Sequence, residues 1–212
     1  MAKAQTNQRI THYGDRMHAE FKYIKKWLYT TDFNGQKRFK NGVDVGCGTN
    51  RLAMDGDLPD AEKARMPGIV SIDRQGDPRY ASAQLVWECR TLDIFADKTL
   101  DFIFSSHCLE DFQNIPVVFE NWWKKLKLHG LMILLLPDMA DCNCQHCKGK
   151  SRYPKVGEPN GNPAHRTNIS KEYIHKMLQG LLERNKIKYE ILQEDTIPHN
   201  CSCSLDFVIK KL

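Results

Sequence analysis

The chain has 212 residues, of which 41% are hydrophobic and 27% are charged, and its formal net charge is +5. This size and composition predict one soluble domain, 1–212, with a full core, and no apolar run of about 18 residues is present to span a membrane. Residues 1–9 are polar and lack the apolar core of a signal peptide, so the cytoplasm is the expected location.

Positive charge is concentrated in two stretches, 3–40 and 148–171. Basic stretches attract phosphates or nucleic acid in some proteins and are only solvated surface in others. Both interpretations stay open from composition alone.

Apolar periodicity predicts the elements of the first two thirds of the chain. They are a helix at 15–30, strands at about 42–46, 68–73, 86–89 and 100–105, a helix at 117–126 that Pro116 begins and Gly130 closes, and a buried strand at 131–136. Between the first two strands, we expect a helix that is either short or displaced toward 59–65. In the helix at 117–126, Phe119, Trp122 and Trp123 are expected to face inward.

A long polar stretch, 138–169, follows and is rich in Cys, Gly, Pro and Lys. At roughly 30 residues it exceeds an ordinary connection, which predicts a functional insertion or a disordered lid. Ser170 should then cap a helix, with Ile169 and Ile174 forming a hydrophobic staple. The expected inner face of that helix comprises Ile174, Met177, Leu178, Leu181 and Leu182.

Two antiparallel strands at 189–192 and 205–209 end the predicted series. The alternation of strands and helices along the chain is typical of a doubly wound α/β sheet.

The most distinctive stretch is 42–51, where a short apolar strand runs into Gly46 and Gly48. Two such glycines let the backbone turn sharply and leave room for a ligand to approach. A dinucleotide fingerprint requires a third glycine where Arg51 stands, which argues against a nicotinamide-dependent oxidoreductase.

The run Asp44-x-Gly-x-Gly-Thr49 resembles motif I of class I S-adenosylmethionine (SAM) dependent methyltransferases. Further segments follow that family's order: Asp73 at a strand end, Leu92-Asp93-Ile94, and 101–110, which resembles the type 11 branch. The resemblance covers about 40–137 well. It implies a Rossmann-like, mostly parallel seven-stranded sheet with an antiparallel last strand, and SAM-dependent methyl transfer.

The resemblance also implies where SAM would bind. Backbone N–H groups at Gly46–Gly48 would approach the methionine part, and Asp44 would suit its ammonium. Asp73 would accept hydrogen bonds from the ribose hydroxyls, and Asp93 would bind the adenine amino group beside Ile94. The full predicted set is Asp44, Gly46, Cys47, Gly48, Asn50, Asp73, Arg74, Asp93, Ile94 and Ser105. For each carboxylate, a surface or turn position is the alternative.

Two histidines are candidate general bases. His107 follows the fourth strand and has an unperturbed pKa near neutrality, and His165 is expected to face the same site from the long loop. The alternatives are a capping or packing role for His107 and a solvated loop position for His165.

Five of the eight cysteines fall in two tight groups: Cys142, Cys144 and Cys147 after the fifth strand, and Cys201 and Cys203 before the last. In the class I fold these two places are neighbours, so the groups are expected to converge on a structural zinc ion, with His146 or His199 as possible substitutes. The alternative is a set of reduced loop cysteines.

The sequence therefore predicts a SAM-dependent methyltransferase with a small-molecule or sugar acceptor. Motifs of DNA amino-methyltransferases and cytosine C5 enzymes are absent after the fourth strand, although the basic stretches keep a nucleic acid acceptor open. The rival hypothesis is a non-catalytic SAM-fold module, stabilised by zinc, that binds RNA or a protein.

Overall fold

The computed structural model describes residues 26–28, 39–47, 69–73, 83, 85–139, 156–157, 163–199 and 202–212, without the side chains of 198, 199, 202 and 203. Seven strands within these ranges form one sheet. They are β1 (Gly42–Val45), β2 (Ile69–Asp73), β3 (Leu85–Val86), β4 (Leu100–Ser106), β5 (Leu126–Pro137), β6 (Tyr189–His199) and β7 (Ser202–Lys211). The order across the sheet is β3-β2-β1-β4-β5-β7-β6.

The pairing directions confirm the predicted mostly parallel sheet. β1 pairs in parallel with β2 and β4, and the pairs β2–β3 and β4–β5 are also parallel. β7 is antiparallel to both β5 and β6. This is the doubly wound α/β architecture with antiparallel closing strands that the sequence predicts.

Alternating side chains bury the central strands on both faces. On one face, Ile103 and Met132 pack with the helices α1 (Ile115–Lys125) and α2 (Lys171–Glu183). On the other, Phe104 and Ile133 pack in a second cluster that includes Leu28. Burial on both sides explains why β5 carries a continuous apolar run instead of an alternating one.

The helix α1 begins beside Pro116 and buries Phe119, Trp122 and Trp123, as predicted. It ends at Lys125, so the prediction that Gly130 closes it is wrong; Gly130 lies inside β5. Glycine is favoured there because an added β-carbon would lie 3.0 Å from Lys127 O and 3.1 Å from Asp101 O, a tighter contact than side chains ordinarily make.

The helix α2 is capped as predicted, with Ser170 Oγ accepting the N–H of Tyr173 at 3.1 Å. Ile169 and Ile174 are both buried in the same core cluster. The inner-face prediction is wrong for Leu182, which is 37% exposed, because it lies one residue round the helix from the buried Leu181.

The remaining element bounds differ modestly from prediction. β3 has only Leu85 and Val86, whereas β6 and β7 extend several residues beyond the predicted strands. Of the predicted helix at 15–30, only 26–28 is described, and it is helical with Leu28 buried. The predicted helix at 59–65 lies outside the described residues.

A hydrogen-bonded chain ties this helical turn to the far strands of the sheet. Trp27 Nε1 donates to Gln193 Oε1 at 2.7 Å, and Gln193 Nε2 donates to the buried carboxylate of Asp206. Within the described ranges, no helix is both long and apolar enough to cross a membrane.

Candidate active site

The carboxyl ends of β1 and β4 define the switch point of the sheet, where open α/β sheets bind ligands. The chain leaves β1 through Gly46, whose φ of +71° belongs to the left-handed region that glycine tolerates. The N–H groups of Gly46 and Cys47 donate to Ile72 O at 2.9 and 3.2 Å, which fixes the turn against β2. The predicted contacts Gly48 and Asn50 lie outside the described residues.

Two of the predicted carboxylates stand close to this turn along the strands. Asp44 is buried within β1, and Asp73 is half-buried at the end of β2, the neighbouring strand. Ser105 is also buried, and its hydroxyl donates to Val45 O at 3.2 Å, so this side chain joins β4 to β1. Arg74 is outside the described ranges.

Asp93 and Ile94 follow β3, and both are exposed, Ile94 by 41%. Asp93 Oδ1 accepts a hydrogen bond from Trp87 Nε1 at 2.6 Å, and the Trp87 side chain is itself 44% exposed. The sequence pattern indicates only a strand position for Trp87. The exposure of the Trp87 indole depends on the folded sheet, so the sequence pattern did not indicate that this side chain is open to a ligand.

Cys108 covers the glycine turn, a role that the sequence pattern does not predict. A β-carbon added to Gly46 would lie 2.4 Å from both the Cβ and the Sγ of Cys108. Burial raises the pKa of the Cys108 thiol well above its usual value, and the nearby Cys89, Glu110, Asp111 and Asp73 act in the same direction. The sulfur is therefore a neutral thiol, and these carboxylates lie within electrostatic reach of the turn.

His107 follows β4 in a left-handed conformation, with φ of +51°, and its N–H donates to Leu135 O at 2.8 Å. Both of its ring nitrogens face protein groups. Nδ1 lies 3.6 Å from Glu110 Oε1, and Nε2 lies 3.0 Å from Ser204 Oγ on β7. His107 thus connects β4, the 3₁₀ turn Leu109–Asp111 and β7.

His165 also lies near the Glu110 carboxylate. Its Nε2 lies 3.7 Å from Glu110 Oε1, and its side chain is 9% exposed. Its Nδ1 is buried and has no hydrogen-bond partner among the residues that the structure describes. Burial lowers the pKa of His165 below the usual imidazole value, which favours the neutral ring near pH 7.

Backbone hydrogen bonds hold the segment 163–170 against the 3₁₀ turn. The N–H groups of Arg166 and Thr167 donate to Glu110 O at 2.9 and 3.2 Å, and Thr167 Oγ1 donates to Phe112 O at 3.0 Å. The structure therefore brings both predicted histidines to one buried residue, Glu110. The sequence places Glu110 within a family motif but indicates no function for it.

The predicted zinc ligands Cys142, Cys144, Cys147 and Cys201 lie outside the described residues, and only the backbone of Cys203 is described. Pro137, the last residue of β5, pairs with Ser204 on β7, so the backbone ends that carry the two groups are neighbours. In the described part of the chain, no three His, Cys, Asp or Glu side chains are arranged to hold a metal.

The fold is that of the class I SAM-dependent methyltransferases, as solved structures show. A SAM-dependent methyltransferase of Archaeoglobus fulgidus is 13% identical, with a TM-score of 0.59 and coverage of 93% of this chain and 94% of that chain. Magnesium protoporphyrin IX methyltransferase of Synechocystis PCC 6803, solved with bound SAM, also gives 0.59 at 12% identity, covering 100% of this chain and 87% of that one.

A third structure with this fold holds two bound molecules. The 1,6-didemethyltoxoflavin-N1-methyltransferase of Burkholderia thailandensis, solved with 1,6-didemethyltoxoflavin and S-adenosylhomocysteine, has a TM-score of 0.55 at 12% identity. The match covers 100% of this chain and 92% of that one.

Sequence comparison gives a narrower match. No family model matches the chain. Malonyl-[acyl-carrier protein] O-methyltransferase of Xylella fastidiosa (strain M23) is 29% identical over 118 residues, which are 53% of this chain. The chain spans only 40% of that curated relative's length.

Proposed function

We propose that the protein is a SAM-dependent methyltransferase that acts on a small-molecule acceptor. The observation that carries the proposal is the glycine turn after β1, set at the switch point between Asp44 and Asp73. In this fold that turn is where a strand end leaves backbone room for a ligand. SAM supplies an electrophilic methyl group on a sulfonium, and the chain's task is to bind and orient the reactants.

The predicted roles of the site residues belong to this proposal. Asp44 is the partner for the ammonium of SAM and Asp73 for its ribose hydroxyls, with Gly46 and Cys47 along the methionine part. Asp93 is assigned to the adenine end, where it shares its carboxylate with the Trp87 indole. Ile94 offers an exposed apolar side chain beside it.

A small-molecule acceptor, which includes a sugar, is supported by the named substrates of proteins with this fold. 1,6-Didemethyltoxoflavin and magnesium protoporphyrin IX are the named substrates of two of those proteins. A buried His–Glu–His cluster beside the glycine turn fits an acceptor that must lose a proton. Nothing in the described structure favours the rival of a non-catalytic RNA- or protein-binding module.

Calorimetric titration with SAM and with S-adenosylhomocysteine tests the cofactor. We expect both to bind the wild type, and Asp73→Ala to weaken binding by about 10- to 100-fold, because hydrogen bonds to a charged group contribute about 1.5–3 kcal/mol. Asp195→Ala is the matched control, since Asp195 is an exposed strand carboxylate on the edge strand β6. Absence of binding to folded wild type would overturn the proposal.

The acceptor class needs a separate assay. Protein and SAM are incubated with phenols, carboxylic acids, nitrogen heterocycles and sugars, and in parallel with RNA and duplex DNA, and methylated products are identified by mass spectrometry. We expect products only from the small molecules. Methylation of nucleic acid alone would contradict the acceptor class while leaving the SAM proposal intact.

The structural zinc ion stays a prediction, supported by the cysteine spacing and by the Pro137–Ser204 pairing. Metal analysis of protein purified without chelator tests it. Zinc in equimolar amount is the expected result, and zinc-free folded protein would remove the hypothesis.

A further inference from the structure

We propose that His165 takes the acceptor's proton through Nδ1, and that Glu110 is the residue that positions both His165 and His107. His107 is then part of the support and is not the base. This inference rests on the proposed methyltransferase function and divides roles within the same site.

Glu110 is the centre of the cluster. Its side chain is fully buried, and one of its oxygens, Oε1, faces Nδ1 of His107 at 3.6 Å and Nε2 of His165 at 3.7 Å. A buried carboxylate requires polar or cationic neighbours, and here two imidazole rings lie near the same oxygen, Glu110 Oε1. The carbonyl of the same residue holds the backbone of the segment that carries His165.

His107 is poorly placed to receive a proton from a ligand. Its Nε2 is hydrogen-bonded to Ser204, and its Nδ1 faces a carboxylate, which only accepts hydrogen bonds and therefore favours a proton on that nitrogen. Its backbone is fixed in the left-handed region by the hydrogen bond to Leu135. The ring therefore joins the end of β4 to β7 and lies against Glu110.

His165 has the complementary arrangement. Glu110 favours a proton on Nε2, which leaves the lone pair on Nδ1, and Nδ1 is buried without a partner among the described residues. A buried polar atom without a partner is unfavourable, so it marks a place where a ligand supplies the hydrogen bond. Among the described residues, the ionisable groups of the adjoining 3₁₀ turn and of the chain just before it include Glu110, His107, Asp111 and Cys108.

The cluster also lies close to the proposed methyl donor. Cys108 packs on Gly46, and the charges of Glu110 and Asp73 contribute to the raised pKa of its thiol. The 3₁₀ turn therefore connects the glycine turn to the two histidines. A proton acceptor at this position is beside the methionine end of the proposed SAM site.

The chemical step balances with these groups alone. The O–H or N–H bond of the acceptor breaks and its proton goes to Nδ1 of His165. The freed electron pair forms the bond to the methyl carbon, and the pair of the broken carbon–sulfur bond stays on sulfur, giving S-adenosylhomocysteine. Glu110 stabilises the imidazolium until the proton passes to water.

Nitrogen NMR of uniformly ¹⁵N-labelled protein tests the assignment without any acceptor. The His165 signals are identified by their loss in His165→Gln, and the expected form at pH 7.5 is the neutral ring with its proton on Nε2. Glu110→Leu, which removes both acceptor oxygens, should abolish that preference, whereas His175→Gln, at a half-exposed ring paired with Glu194, should leave it unchanged. A proton on Nδ1 of wild-type His165, or a doubly protonated ring, would overturn the inference.

S-adenosylhomocysteine binding separates this inference from the proposed function. His165→Gln should bind this ligand as tightly as the wild type, because His165 acts on the acceptor. Failure of the wild type to bind would overturn the proposed function, whereas a large loss only in His165→Gln would overturn the role of His165 as the base.

Rates with the acceptor panel give a third readout. For phenols and alcohols, His165→Gln should lower kcat about 10²–10⁴-fold, and for carboxylic acids, which are already ionised, it should change kcat little. An equal loss for both groups of acceptors would contradict a role in proton removal.

Discussion

The side chain of Cys108 lies directly on Gly46, so that a β-carbon added to Gly46 would meet both Cys108 Cβ and Sγ at 2.4 Å. Two conditions therefore meet at Gly46: a positive φ and a neighbour that leaves no space for a side chain. The second condition arises from a residue 62 positions later in the chain, at the end of a different strand.

Gly46→Ala should destabilise the fold by about 2–4 kcal/mol, because the left-handed conformation costs an alanine about 1–2 kcal/mol and overpacking adds a similar amount. The double variant Gly46→Ala/Cys108→Gly removes both clashing atoms, so relative to Cys108→Gly alone it should lose only the conformational part of this cost. Denaturant unfolding of the single and double variants measures both.

Gly180→Ala is the matched control for that substitution. Gly180 lies inside α2, and a β-carbon there meets only the end of the Arg184 side chain at 3.5 Å. The same change should therefore stabilise the protein, by up to about 1 kcal/mol. If both alanine variants shift stability in the same direction, the account of Gly46 is wrong.

Trp87 should report binding at the adenine end of the proposed site. Trp122 and Trp123 are buried, whereas Trp87 is 44% exposed after β3, so most of the fluorescence change caused by S-adenosylhomocysteine should come from Trp87. Trp87→Phe should remove that change, and Trp27→Phe, which alters the indole bonded to Gln193, should retain it. The reverse pattern would contradict the assignment of Asp93 and Ile94 to the adenine.

Asp101 should make stability depend on pH in acid. Burial alone would raise the pKa of Asp101, but Lys127 at 2.5 Å and the N–H groups of Asn41 and Lys40 outweigh it, and the net pKa lies below the usual value. The contribution of the Asp101 carboxylate to the free energy of unfolding is therefore complete above the unfolded-state pKa of about 3.9. It is lost as the pH falls through the lower folded-state pKa.

Asp101→Asn should cost about 1 kcal/mol at neutral pH, because charge-assisted hydrogen bonds become neutral ones. The difference from the wild type should shrink as the pH falls below about 4. Asp97→Asn is the control. Asp97 forms a salt bridge with Lys125 but is exposed, and because exposed ion pairs contribute little, this variant should change stability less than Asp101→Asn. Chemical unfolding at a series of pH values decides the point, and a difference that grows in acid would refute it.

Ser170→Ala should destabilise α2 by about 1 kcal/mol, because the N–H of Tyr173 loses its acceptor. Ser170→Asp retains an acceptor and should restore most of the stability. Hydrogen exchange of the Tyr173 amide follows the cap itself. An unchanged exchange rate of the Tyr173 amide in Ser170→Ala would contradict the hydrogen bond between Tyr173 N–H and Ser170 Oγ. The segment 163–170, which carries His165, leads into this cap.

The sequence predicted the central strands well because each carries its own signal. The apolar run of β5 and the glycine pair after β1 are local patterns, and burial on both faces of the sheet preserves them. The capping serine of α2 is equally local, since its partner is three residues away.

The errors arise where a residue's environment comes from elsewhere in the chain. The local pattern indicates a helix end at Gly130, although a glycine is favoured there by the nearby carbonyl groups of Asp101 and Lys127. His107 lies only three residues before Glu110, but the second partner, His165, comes from a segment 55 residues later, so no local pattern indicates that Glu110 joins two histidines. The contacts of Gly130 with Asp101 and of Glu110 with His165 span 29 and 55 residues, and no local sequence pattern covers such distances.

The position of β7 has a consequence for how the chain assembles on the ribosome. β6 precedes β7 in the sequence, yet in the described structure it joins the sheet only through β7, which lies between β5 and β6. Until residues 202–211 emerge, the outer edge of β5 is an unpaired apolar strand and β6 has no strand to pair with, a state that favours aggregation. The hydrogen bond between Trp27 and Gln193, which are 166 residues apart, also depends on the pairing of β6 with β7. A stop codon before Ser202 would therefore remove β7 and also leave β6 without the strand that joins it to the sheet.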